Sequence, residues 1–141
     1  MTTHNETEFQ IDPILAKDTT ELKTIGGVPL SLCYAGLMND KRYPWIILVP
    51  KQTGLVDMTD LSQKDQHQLM DEISVVTTMM KQSFNPFKLN IAALGNMVRQ
   101  LHIHIITRQQ QDHAWPNPVW GIGDAEPYKE DELKEMISKL N

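Results

Sequence analysis

At 141 residues, with 13 Lys plus Arg against 18 Asp plus Glu and a net charge of −5, the chain can bury about 70% of its unfolded surface in one domain without staples. It has no basic run that could track a nucleic-acid backbone, so nucleic acid is not an expected partner, although a few local donors can still hold a small anionic ligand. Cys33 is the only cysteine; this excludes an internal disulfide, and its place in the apolar run LSLCYAGLM fits a buried core thiol.

The N-terminal MTTHNETEFQ lacks the positive start and apolar stretch of a secretory signal. No apolar run approaches the roughly 20 residues that span a bilayer, so a soluble, cytoplasmic protein with no membrane partner is expected. Residues 9–25 mix apolar and polar positions around Pro13 and suggest a short strand followed by a helical turn. After Gly26 and Gly27, VPLSLCYAGLMN reads as a strand, NDKRYP as a turn, and PWIILVPK as a second strand stopped by Pro50.

The segment that follows offers Thr59 or Ser62 as N-cap, then Leu69, Met70, Ile73, Val76, Met79 and Met80 at helical spacing. This is the main helix, and Pro86 ends it. FKLNIAALGN and VRQLHIHIITR then read as two strands joined by a tight turn near Gly95 and Asn96. EPYKEDELKEMISKL closes the chain as a short charged helix. With no internal repeat or linker, residues 1–141 are expected to form a single α+β domain: an antiparallel β-sheet with one long helix and a C-terminal helix.

The segment RQLHIHIITR carries the chemistry. Strand alternation points Gln100, His102 and His104 one way and Leu101, Ile103 and Ile105 the other. The apolar set fixes the core face, so the polar set should look into a groove or across an interface, with its two imidazoles roughly 7 Å apart and Arg99 and Arg108 on either side. Residue chemistry leaves three readings open. The histidines can lie on a solvated sheet face. They can belong to a metal site, although His4, His67, His113 and Cys33 show no zinc spacing. Or one imidazole can attack phosphorus while its neighbour assists the departing oxygen.

QLHIHII followed by TR resembles the signature of the histidine triad (HIT) family, H-x-H-x-H-x-x with apolar x, and departs from it at the first histidine. LMNDKRYPWIILVPK is similar to that family's first nucleotide-binding strand pair and VDMTDLSQKDQHQLMDEI to the helix after it, so the resemblance covers roughly residues 30–115. It implies a nucleotidyl hydrolase or transferase, diadenosine tetraphosphate hydrolase-like, acting on nucleoside phosphates, phosphoramidates or dinucleoside polyphosphates. No metal or other cofactor is implied.

By the same resemblance His102 is the catalytic nucleophile that carries the nucleotidyl group, and His104 contacts the phosphate and helps the leaving group. Asn39 binds the ribose hydroxyls. Asn96 is either a phosphate contact or simply a turn residue beside Gly95. Gln100, in place of the first histidine, can hydrogen-bond but not titrate; this leaves a catalytically weak nucleotide-binding or regulatory module as the alternative. The family's habit of pairing through its long helix and a sheet edge, together with Met70, Val75, Val76, Met79 and Met80 on this helix, implies a homodimer. Trp115 and Trp120 are expected to pack, to make dimer contacts or to line the pocket mouth, His113 to lie on the surface, and Tyr43 and Trp45 to form core or pocket wall.

Overall fold

The computed structural model describes residues 8–141. The order of the first two elements is the reverse of the sequence expectation: helix α1 (Pro13–Asp18) precedes strand β1 (Thr19–Glu21). The reason is local. The Asp12 side chain accepts a hydrogen bond from the Ile14 N–H at 2.9 Å and Pro13 occupies the first helical turn, which together start a helix. The β-branched pair Thr19 and Thr20 then favours extended chain.

Strands β2 (Cys33–Met38) and β3 (Trp45–Pro50) form an antiparallel pair. β2 starts later than its apolar run suggests: Gly26 and Gly27, at φ 55° and 78°, turn the chain so that Val28 pairs back with Ile25 and not with the sheet. The first amides of the strand are also claimed from outside the sheet: the Leu32 and Cys33 N–H groups both donate to the Glu72 carboxylate at 2.9 Å. Burial first, and then the Glu72 charge, push the Cys33 thiol up, so Cys33 is an inert core group.

Helix α2 (Gln63–Phe84) is capped by Ser62, whose Oγ accepts from the Asp65 N–H at 3.1 Å, and it ends at Asn85 in the left-handed region at φ 44°. Leu69, Ile73, Val76, Met79 and Met80 face inward, whereas Met70 is 58% exposed. Strands β4 (Lys88–Ala92) and β5 (Ile103–Arg108) pair antiparallel, but residues 93–102 form a long irregular connection where a tight hairpin was expected. The detour buries Val98 and Leu101 and lets the Leu101 N–H bond to Leu55 O. Helix α3 (Glu130–Leu140) carries acidic residues in its first turn and Lys139 in its last, matching the helix dipole.

The five strands form one antiparallel sheet in the order β1-β2-β3-β5-β4, and the fold is α+β as expected. Ala35, Leu37, Ile46, Leu48, Ile103 and Ile105 pack with the inward face of α2. On the other face Trp45, Ile47, Val49 and Ile106 form a second apolar cluster, joined by Leu15, Ala114 and Val119 and flanked by Phe9, Ile11 and Trp120. The histidines lie on this second face.

Candidate active site

β5 begins at Ile103, so His102 sits just ahead of the strand and His104 is its second residue. Their rings share the second face, with centroids 4.9 Å apart and planes at 70°. The face is not an open groove. Both histidines are only 6% exposed, and the N-terminal segment and the chain after β5 pack onto the same face.

Gln100 does not join the pair. It precedes the strand, and both ends of its amide are engaged by the N-terminal segment: Oε1 accepts from the Asp12 N–H at 2.8 Å and Nε2 donates to Gln10 O at 2.9 Å. Its backbone carbonyl has a different job, since it lies 2.7 Å from His102 Nδ1. A carbonyl can only accept, so His102 carries its proton on Nδ1 and keeps the Nε2 lone pair free.

His104 is held the opposite way. The Trp45 indole N–H donates to His104 Nδ1 at 3.0 Å, and because an indole N–H cannot accept, Nδ1 is bare and the proton sits on Nε2. Burial first, and the neighbouring His102 second, lower His104 to about 4, which keeps it neutral near pH 7. One imidazole thus presents a lone pair at Nε2 and the other an N–H.

Two clefts bear on the histidines: one is walled by the Trp45 and Trp120 rings that pack against His104, and the other is lined by His102 itself. The first, of about 490 Å³, is lined by Lys17, Asn39, Arg42, Trp45 and Trp120 among others; the Trp120 ring also meets the His104 edge at 5.0 Å. The other, of about 360 Å³, is lined by His102 with Asp57, Met58, Thr59 and Gly95 among others. Asn39 is exposed, and its Oδ1 accepts from the Tyr128 N–H at 2.9 Å, so its amide N–H₂ is the end able to reach a ribose oxygen. Asn96 lines neither cleft; it sits exposed beside Gly95 in the 93–102 connection.

Two arginines are committed to structure. Arg108, 1% exposed, donates to both Asp112 carboxylate oxygens, to Asn90 Oδ1 and to Asn117 O; it anchors the loop after β5. Arg42 pairs with Asp40 through Nε at 2.9 Å and Nη2 at 2.8 Å and holds Ile122 O at 2.8 Å, fixing the wall of the first cleft. Burial opposes the charge on Asp40, but hydrogen bonds from Arg42 and the Glu126 N–H outweigh it and hold the carboxyl below its usual range. Arg99 is exposed.

The tryptophans divide. Trp115 packs edge-on against Phe87 and under the Arg108 guanidinium, while Trp120 lines the first cleft. His113 is exposed, as expected. Among the described residues no three His, Cys, Asp or Glu side chains come together as a metal set; His4 lies outside those residues. Neither the Trp45 to His104 bond nor the Asp40–Arg42 pair was legible as part of the site. The N-D-K-R string held the only signal for the pair.

Residues 28–111 match the HIT domain family. This chain belongs to the histidine triad family. Members are generally nucleotide-binding hydrolases or transferases. Solved structures agree. A histidine triad protein from Sinorhizobium meliloti 1021 is 41% identical with a TM-score of 0.86, the alignment covering 94% of this chain and 95% of that one. One from Bradyrhizobium japonicum is 40% identical with a TM-score of 0.88, covering 94% and 96%. One from Marinobacter aquaeolei VT8 is 42% identical with a TM-score of 0.87, covering 94% and 93%. Comparison with curated proteins gives no match. Among the described residues of this HIT protein no helix is long and apolar enough to cross a membrane.

Proposed function

We propose that this HIT protein is a nucleotidyl hydrolase or transferase that works through a covalent nucleotidyl-His102 intermediate. The observation that carries the proposal is the opposed pair of contacts at Nδ1, a carbonyl acceptor on His102 and an indole donor on His104, from which a free lone pair on His102 Nε2 and a proton on His104 Nε2 follow. Asn39 and the Trp45 and Trp120 rings suit the first cleft to a nucleoside, and the second cleft at His102 suits the leaving group.

In the first step His102 Nε2 attacks the α-phosphorus, and the bond from phosphorus to the leaving group breaks with its electron pair. The imidazole becomes a nucleotidylated cation whose Nδ1–H stays on the Gln100 carbonyl, a hydrogen bond that grows roughly twice as strong once its donor is charged. His104 Nε2–H donates to a phosphate oxygen as charge develops there. Water, or an acceptor hydroxyl in a transfer, then attacks phosphorus. The P–N bond breaks with its pair returning to Nε2, and the attacking oxygen's proton passes to solvent. No metal is needed at the nucleophile.

A panel of adenosine 5′-phosphoramidate and diadenosine tetraphosphate, with AMP release read by chromatography, tests the activity and separates phosphoramidate from dinucleoside polyphosphate chemistry. Release of AMP from either is expected. Saturable AMP binding with no release from any panel member would leave a nucleotide-binding module in its place.

We also propose a homodimer, paired through the sheet edge more than through the apolar residues of the long helix. Val76, Met79 and Met80 are used by the chain's own core, but β4 is an edge strand, and Phe87, Ile91 and Leu94 on and around it are exposed. Light scattering should give a particle of twice the 16.1 kDa chain mass; a monomer at micromolar concentration would reject the pairing.

A further inference from the structure

We propose that Trp45 is a positioning residue that fixes His104 as the neutral Nε2–H tautomer, so that the third triad position acts as a stationary hydrogen-bond donor and not as a cationic acid. This rests on the hydrolase reading for its catalytic meaning, but its structural content stands apart from turnover. Trp45 opens β3 opposite Ile106 of β5, and its indole N–H reaches His104 Nδ1 at 3.0 Å. A proton placed on Nδ1 would face that N–H donor to donor, so both the other tautomer and the imidazolium require the contact to break.

The indole is braced for this role. It is 7% exposed and lies edge-on to Tyr43 at 6.5 Å and to Trp120 at 5.9 Å. Burial is the main influence that disfavours a charge on His104, and the titratable group that adds to it is His102 on its own segment. The other groups packed against His104 bring no free charge. β3 offers Trp45 and Ile47, β4 offers Ala92, and the loop after β5 offers Trp120. On the same side of the sheet Asp40 is paired with Arg42 and Asp112 with Arg108. A neutral imidazole does not give up its proton. His104 therefore favours leaving groups that depart as anions, and an amine leaving group takes its proton from water.

The test reads histidine ring nitrogens directly, by two-bond ¹H–¹⁵N correlation on the full chain across pH 4 to 8. In the native protein His104 should show a bare Nδ1 and a protonated Nε2, with no titration above about pH 5. Trp45→Phe should mix the tautomers and raise the His104 midpoint by at least one pH unit, while kcat falls about tenfold or more. Trp45→His, which restores an N–H donor, should recover part of the tautomer bias. Native His104 protonated on Nδ1 would overturn the proposal without any variant, and so would a Trp45→Phe protein that folds and leaves the His104 tautomer and titration unchanged. A protein that turns over no substrate yet shows the Trp45-dependent tautomer would retire the hydrolase reading and leave the positioning role standing.

Discussion

Replacing Gln100 separates the work of its side chain from that of its backbone. The side chain makes two hydrogen bonds to the N-terminal segment, at 2.8 Å to the Asp12 N–H and 2.9 Å to Gln10 O. Each is worth about 0.5 to 1.5 kcal/mol net, so Gln100→Ala should weaken the seating of residues 8–12 by roughly 1 to 3 kcal/mol. That corresponds to an opening equilibrium about 5- to 150-fold larger, read as faster hydrogen exchange at the Asp12 amide. The carbonyl that holds His102 Nδ1 survives the substitution, so single-turnover AMP release should stay within about tenfold of native, under about 1.4 kcal/mol. Gln100→His cannot satisfy both partners in the amide's geometry, and it should likewise stay within about tenfold with faster Asp12 exchange. A hundredfold loss of rate in Gln100→Ala with Asp12 exchange unchanged would refute the reasoning and return the side chain to the substrate. A native protein that is silent while Gln100→His turns over would mean that the first position must titrate.

His104, lowered to about 4 by burial first and His102 second, stays neutral in the fold where an unfolded chain takes up a proton near its ordinary value of about 6.5. Stability is therefore undiminished above about pH 6.5 and declines as pH falls from there toward 4, by up to roughly 3 kcal/mol. Urea titrations of native and His104→Gln chains check this, the variant losing much of the slope; equal slopes would contradict it. Asp112→Ala strips the carboxylate from the buried Arg108 and should cost about 3 to 5 kcal/mol by urea denaturation; a loss under about 1 kcal/mol would show that Arg108 is not a buried, paired charge. Asn39→Ala should raise KM about 2- to 13-fold for ribonucleotide substrates by removing a ribose hydrogen bond. Substrates already lacking the ribose hydroxyls should show no such rise, and an equal rise for both would remove Asn39 from ribose recognition.

Much of the sheet and of α2 was legible because period and punctuation agreed: Leu69, Ile73, Val76 and Met80 repeat along one helical face, and Pro50 and Pro86 stop their elements. The failures have physical causes. A strand reading of 98–108 follows from alternation, yet alternation cannot say where pairing begins, and Leu101 bonds to Leu55 instead of to the sheet. The partners of Gln100 lie about ninety positions away, and no local pattern encodes them. Arg108 could be placed beside the histidines from the sequence, but its partners Asp112, Asn90 and Asn117 are set by the tertiary fold. The tautomers of His102 and His104 depend on a backbone carbonyl and on an indole brought in from β3. The triad spacing announced the chemistry and left its proton inventory to the fold.

The central claim is that His102 Nε2 becomes nucleotidylated during turnover. Rapid mixing with adenosine 5′-phosphoramidate, quenching without acid to spare the P–N bond, and peptide mass spectrometry test it directly. An AMP-sized adduct on His102 is predicted, absent from His102→Ala, whose turnover should fall at least about 1000-fold, of order 4 kcal/mol. AMP release with no adduct on any histidine, or with the adduct on His104, would contradict the assignment.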